Sequence, residues 1–531
     1  MRLRFLCALL IAGLAACDTA DFEPAPAPLE PDANAVPITD LLASGTDLAD
    51  GLELNPSGIA PLAAALTFET QVPTKVAVEV LGRHPVSQGF DTVADLHAVP
   101  LIGLYPGADN RVVVRVTEPA TERYGLDTLT VATPALPAFF PTVEILTASP
   151  AMEPGWTLSN LSIGNAGEFD SYPLLFDEAG AIRWYLDFSR NSDITFLIRR
   201  LANDNWLTAH QSTITEYDLL GTVINRWRTD GYIAHHEIVE MPNGNFLVAV
   251  NVAGRSTVED HVIEVSRSSG AVVREWDLRP LLDVDRFDLV VNERDWFHMN
   301  AIFYDEQDDT LLLSGRNQGL VKVDGANNLV WIMAPHQGWG PAGINGDGLD
   351  TAEYLLTAVD AQGVPLPEAV QQGTAGTADF DWTWGQHAPM RLRNGNLFVF
   401  DNGFNRHFGA ADPSPPWSRG VEYVIDEAAM TVQQVWEYGR DRGAAYFSPI
   451  ISDVDELPMT GHRLIMPGVV VTESGSYAHV TEVTYPGSSV VFDARLHFTN
   501  LNNTGDGWGQ LDIVYRSERL PLYPAQTTTA R

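Results

Sequence analysis

Asn243-Gly244-Asn245-Phe246-Leu247, Asp308-Asp309-Thr310-Leu311-Leu312 and Asn394-Gly395-Asn396-Leu397-Phe398 are three versions of one turn followed by an apolar strand. Each follows a histidine: His236, His298 and His387 lie 11, 13 and 10 residues before Leu247, Leu311 and Leu397. A short polar turn leading into an apolar run predicts a β-hairpin. Its recurrence predicts a repeat architecture, in which one supersecondary unit stacks on copies of itself. If the units stand around an axis, equivalent positions face the same space. Side chains far apart in sequence then converge on one pocket.

Other strand pairs extend the repeat in both directions. Leu174-Leu175-Phe176 leads through Gly180 to Trp184. Ile214 to Asp218 leads to Trp227, Val262 to Val265 to Trp276, Leu320 to Asp324 to Trp331, and Val421 to Asp426 to Trp436. Val480 to Val483 leads to Val490-Val491-Phe492, without a tryptophan. The first four tryptophans are 43, 49 and 55 residues apart, a period that suits blades of about four strands. The chain therefore reads as all-β, with a six-bladed β-propeller over residues 141–531. The stretch Pro335 to Asp381 interrupts the period and is poor in pattern. It is expected to be a lid or rim loop, or else a disordered insertion.

The N-terminal third reads differently. Thr74 to Val80 and Arg111 to Val116 alternate apolar and polar residues between Gly and Pro punctuation, which predicts a small β-sandwich domain over 38–140. Residues 17–37 are rich in Pro, Ala and acid and read as an extended tether. Residues 1–16 carry Arg2 and Arg4 before a short apolar run, too short to span a bilayer. Leu14-Ala15-Ala16-Cys17 resembles a bacterial lipoprotein processing box. That resemblance implies cleavage before Cys17, lipidation of its thiol, and an exported chain anchored on the periplasmic side of a bacterial membrane. Cys7 and Cys17 are the only cysteines, so the mature domains hold no disulfide and no thiol nucleophile. The formal net charge of −37 sets the chain against nucleic acid as a partner. A homodimer is one expectation for its assembly.

The chemistry gathers near the histidines. His235-His236-Glu237 opens one unit, Asp295-Trp296-Phe297-His298-Met299-Asn300 the next, and Trp384-Gly385-Gln386-His387 a third. Arg316, in Ser314-Gly315-Arg316-Asn317-Gln318, follows a strand in the phase that Asp401-Asn402-Gly403 has one unit later. Imidazoles beside a guanidinium form a pocket for a tetrahedral oxyanion, with donors in place of a metal or cofactor. A zinc hydrolase built on three imidazoles is the metal alternative. A surface propeller that binds an anionic ligand without turnover is another, and so is an aryl sulfatase-like hydrolase.

These motifs together resemble those of the bacterial aryl-sulfate sulfotransferase family. The 18-residue spacing from His298 to Arg316, and Leu54-Asn55-Pro56-Ser57-Gly58 and Gly103-Leu104-Tyr105-Pro106 in the N-terminal domain, also match its pattern. The resemblance implies a site on the propeller axis that moves a sulfuryl group from a phenolic sulfate ester to a phenolic acceptor, without a nucleotide donor. It implies that His387 is the nucleophile, with His236, His298 and Arg316 around the sulfuryl oxygens and the ester oxygen. His235 competes with His236 for its role. Around them, His235, Asn300, Asn402 and Trp384 are expected to contact substrate, and Trp296, Phe297, Trp382 and Trp384 to wall the aryl ring or to pack between blades. Asn317 departs from the family, where a histidine is frequent after the arginine.

Overall fold

The computed structural model describes residues 33–165, 168–190, 198–289, 291–409, 416–502 and 509–523. The processing box and Cys17 lie outside the described residues.

Six antiparallel sheets follow the N-terminal domain. Blade I combines Ile513–Leu520 with Trp156–Asn165, Glu168–Phe176 and Ile182–Tyr185; blade II holds Ile198–Arg200, Trp206–His210, Thr213–Tyr217 and Val223–Arg228. Blade III runs Tyr232–Glu240, Phe246–Val252, His261–Val265 and Val272–Asp277, and blade IV Met299–Asp305, Thr310–Gly315, Gly319–Asp324 and Leu329–Met333. Blade V runs His387–Arg391, Leu397–Asp401, Arg419–Asp426 and Thr431–Tyr438. Blade VI begins Asp453–Glu456, Arg463–Met466, Gly475–Val483 and Val490–His497, and its outer edge takes Thr142–Ala148 from the start of the propeller. The chain thus closes the ring twice, with an early strand on blade VI and its last strand on blade I.

Two recurring side-chain devices explain why the units stack. The blade tryptophans sit on outer strands, and each indole N–H donates to the following blade. Trp184 reaches the Leu219 carbonyl at 3.0 Å, Trp227 that of Arg267 at 2.7 Å, Trp276 that of Asp324 at 2.9 Å, Trp331 the Glu427 carboxylate at 2.9 Å and Trp436 the Ser488 hydroxyl at 3.0 Å. Each ring thereby buries apolar surface between blades while its one polar atom is satisfied. The second device holds the turns. The amides of Asn203 and Asn205 donate to Glu216, those of Asn243 and Asn245 to Glu264, and those of Asn394 and Asn396 to Glu422. In blade IV the polarity is reversed, and Lys322 donates to Asp308 at 2.7 Å. The one turn that reads Asp-Asp-Thr instead of Asn-Gly-Asn thus keeps the bridge with opposite charges.

The N-terminal domain has one connected five-stranded sheet rather than two separate ones. Its long strands Ala64–Val80 and Val86–Leu101 pair along their length, with register breaks between Glu69 and Val76. Ala64–Leu66 pairs with Leu52–Leu54, and Lys75–Val80 pairs with Asp109–Thr117. One apolar core, including Leu66, Val78, Leu101, Val114 and Val131, gathers residues from both halves.

The insertion between blades IV and V is packed along an outer edge. Thr357–Ala358 adds a short parallel strand to Thr431–Val432 of blade V. The Gln371 side chain bonds both backbone groups of Ala358, and Trp382 donates to the Val370 carbonyl at 2.7 Å. The lid expected from its length is therefore a strap on the side of the ring, held by ordinary strand pairing that its composition conceals.

Candidate active site

The innermost strands of blades III, IV and V each break register near their histidine: between Ala234 and Ile238, between Met299 and Ala301, and between His387 and Met390. His236, His298 and Ala388 take positive φ values of 42°, 57° and 50° there. A bulge inserts an extra residue and re-aims side chains. Here it recurs at one level of the ring, and the His236 and His298 rings meet with centroids 5.1 Å apart.

His387 is held more tightly than the others and is only 3% exposed. Its Nδ1 lies 3.0 Å from the Gly385 carbonyl and 2.8 Å from Asn402 Oδ1. Asn402 has no freedom to reverse its amide, because Nδ2 donates at 2.8 Å to both the Ser448 and Ile451 carbonyls. Two acceptors on Nδ1 fix the proton there, so Nε2 of the neutral ring carries the lone pair. Burial lowers the His387 pKa well below its ordinary value, assisted by the positive charges of Arg316, His298 and Arg516.

His298 is tuned in the opposite direction. Burial alone would depress it, but its Nδ1 donates to Asp295 at 2.6 Å and faces Glu259 at 3.2 Å, and the two carboxylates raise its pKa. Burial, with repulsion from Asp295, pushes Glu259 itself up to about 7, against the pull of His298 and Arg316. The site therefore tunes two imidazoles in opposite directions, disfavouring the proton on His387 and favouring it on His298, as nucleophilic attack and leaving-group protonation require.

Arg316 follows the second strand of blade IV, and its backbone N–H donates to the His298 carbonyl at 3.0 Å. Its guanidinium lies 5.3 Å from the Phe404 ring centroid. Among the described residues no carboxylate forms an ion pair with it, and its Nε is buried without a hydrogen-bond partner. A fixed cation with unused donors, beside polarised imidazoles, is an anion receptor. Gly315, just before it, leaves room for the Phe297 ring, since a Cβ at that position would fall 2.3 Å from that ring.

The family model described as Arylsulfotransferase (ASST) matches residues 142–506, and the one described as Arylsulfotransferase Ig-like domain matches residues 52–134. The chain belongs to the arylsulfotransferase family. It is a sulfotransferase, with the propeller carrying the matched catalytic model. Arylsulfate sulfotransferase AssT of Escherichia coli O6:H1 is 30% identical over 503 residues, covering 76% of this chain and 82% of that protein. The protein of the same name from Lelliottia amnigena is 29% identical over 499 residues, with the same coverage. Among solved structures, the Nup133 β-propeller domain of Vanderwaltozyma polyspora aligns at a TM-score of 0.31 and 10% identity, over 67% of this chain and 92% of that one. The six sheets themselves, rather than that distant likeness, define the arylsulfotransferase fold here.

Several expected substrate contacts are placed elsewhere. Asn402 is fully buried and acts on the His387 ring instead of on a ligand. Asn300 is also fully buried, and its Nδ2 donates to the Gln386 carbonyl at 2.8 Å. Trp384 has no exposed surface. Its backbone N–H donates to Asp401 at 2.9 Å and its ring packs edge-on against Phe408. Trp296, Phe297 and Trp382 are likewise fully buried. His235 stands behind His236, with the two Nδ1 atoms 3.1 Å apart, and burial pushes its pKa down to about 3. It is His236 whose ring meets His298.

Three contributors lay outside the sequence expectations. Asp295 sits three residues before His298 within a motif already singled out, and that spacing was its available signal. Glu259 lies in the loop between the second and third strands of blade III, the place that Arg316 holds in blade IV and Asn402 in blade V. Phe404, partly exposed and facing Arg316, stands where an aryl ring would need a wall. Donor atoms also cluster closely enough to hold a metal ion, in two sets that share Glu259: His235, His236 and Glu259, and Glu259, Asp295 and His298, each within 4.8 Å.

Proposed function

We propose that the chain moves a sulfuryl group from a phenolic sulfate ester to a phenol, in two steps through a sulfohistidine at His387 and without a nucleotide donor. The observation that carries this reading is the double acceptor on His387 Nδ1, which leaves Nε2 as a free nucleophile beside the unpaired Arg316. In the first step Nε2 attacks sulfur, an N–S bond forms and the S–O(aryl) bond breaks. The departing phenolate takes a proton from His298. In the second step the acceptor phenol loses its proton to His298 while its oxygen attacks sulfur, and the N–S bond breaks. Arg316 and His236 donate to the sulfuryl oxygens, where charge is concentrated in both transition states. The covalent intermediate divides one difficult transfer into two easier ones.

Purified protein incubated with 4-nitrophenyl sulfate and a second phenol is expected to release nitrophenol in step with sulfation of the acceptor. Mass spectrometry of the donor-treated, denatured chain should find one SO3 group on His387. Modification of His236 would overturn the role assignment, and nitrophenol release indifferent to added phenol would make the protein a sulfatase. We also propose export and lipid anchoring through Cys17, which lipid analysis of the mature N-terminus tests; an unmodified Cys17 would overturn it.

A further inference from the structure

Beneath the histidines runs a buried polar web centred on a residue from outside their repeat units. Arg516 lies on Ile513–Leu520, the last strand of the chain and the innermost of blade I, and is 2% exposed. Its Nη1 pairs with the fully buried Glu237, the residue after His236. Its Nη2 donates to the Asn300 carbonyl at 3.3 Å, two residues after His298. Asn300 Nδ2 donates to the carbonyl of Gln386, the residue before His387, and Gln386 Nε2 donates at 2.8 Å to the carbonyl of Gly315, the residue before Arg316. One chain of contacts thus reaches a sequence neighbour of each of the four site residues.

We infer that Arg516 is a positioning residue for the transfer, holding His236, His298, His387 and Arg316 in register through Glu237 and Asn300. The inference rests on the sulfuryl-transfer reading. A buried arginine suits this task because its planar fork serves two partners at fixed angles, which a lysine does not reproduce. The charged and titratable groups around it are Glu237, which it shares with Arg199, then Glu518, Asp453, Asp455, Tyr515, His236 and His387, and its charge acts on both histidines to disfavour their protonation.

The test compares the full chain with Arg516→Gln, Arg516→Lys and Glu237→Gln. Kinetics use 4-nitrophenyl sulfate with phenol, and NMR follows the His387 ring titration in the resting protein. Arg516→Gln should lower kcat by ~100-fold, as expected for a small misplacement of reacting groups, and should move the His387 titration to higher pH. Arg516→Lys should leave that titration near its original position yet fail to restore kcat. Should Arg516→Gln not fold, the nearly isosteric Glu237→Gln keeps the packing and is expected to lose ~10-fold in kcat. A folded Arg516→Gln or Glu237→Gln with unchanged kcat overturns the inference. A wild-type protein that transfers no sulfuryl group sinks the underlying reading instead, and the ring titration, which needs no turnover, still reports whether Arg516 governs His387.

Discussion

Asn402 Oδ1 sits 2.8 Å from His387 Nδ1, and the same amide is pinned from behind by the Ser448 and Ile451 carbonyls. The asparagine thereby selects one tautomer of the ring. Asn402→Ala should lower kcat by ~100-fold or more, since losing tautomer control in a comparable nucleophile–base system is costly. Asn402→Asp keeps the acceptor but adds a negative charge, which raises the His387 pKa. The wild-type His387 pKa lies well below its ordinary value, so the ring stays neutral into acid. The acid limb of the kcat/KM profile should therefore move to higher pH in Asn402→Asp, and an unmoved limb would refute the assignment.

His298 depends on a proton that Asp295 helps to keep. Its pKa is raised, so the proton is lost, and activity with it, as pH rises through the folded value. Asp295→Asn weakens the hold on the proton and should shift the alkaline limb of kcat to lower pH. The same linkage applies to stability: the His298 contribution is fully present below about 6.5, the unfolded pKa, and disappears as pH rises through the raised one. Thermal melts of wild type and Asp295→Asn should differ most at mildly acidic pH and converge in alkali.

Gly315 offers a steric test. A methyl group there would overlap the Phe297 ring, displacing either the ring or the strand end that presents Arg316. Gly315→Ala should destabilise the chain by about 1–3 kcal/mol, the usual range for overpacking, and raise the KM for the donor. A variant with wild-type melting and wild-type KM would show that the ring yields without moving the arginine.

The donor sets around Glu259 make the metal question experimental. On the mechanism proposed above, EDTA should leave transfer unchanged. Added zinc should inhibit it, because capture of His236 or His298 removes a donor to the sulfuryl group or the general acid. Loss of activity on chelation, restored by one particular metal, would instead assign the histidines to a metal centre.

Much of the fold was legible because its stacking devices are written into local sequence. The Trp-bearing hairpins and the Asn-Gly-Asn turns recur, and the histidines keep phase with them. Arg316 was legible for the same reason. The support of the site was not. Asp295 lies three residues before His298 in a readable motif, but Glu259 comes from a loop longer than its counterpart at Arg316, which hides the equivalence, and Arg516 arrives from the far end of the chain. At Trp384 and Asn300 the limit is different: closeness to a site histidine along the strand does not say whether a side chain faces the axis or the neighbouring blade. The strap at Pro335 to Asp381 was obscured because its contacts are scattered: a two-residue strand, the Gln371 and Asp381 side chains, and buried Leu356, Val370 and Phe380, which follow no period.

The series of indoles from Trp184 to Trp436 crosses five of the six blade junctions; among the described residues no tryptophan donates across the remaining one, between blades VI and I. At that place Thr142–Ala148 completes blade VI and Ile513–Leu520 completes blade I, and the two blades share one apolar core and the Arg519–Glu482 ion pair. The latter strand also carries Arg516. Opening the clasp and dismantling the catalytic layer are thus a single event. Turnover becomes a direct gauge of whether the circle is shut, and any partner or fusion that tugs on the chain's tail pulls on the chemistry.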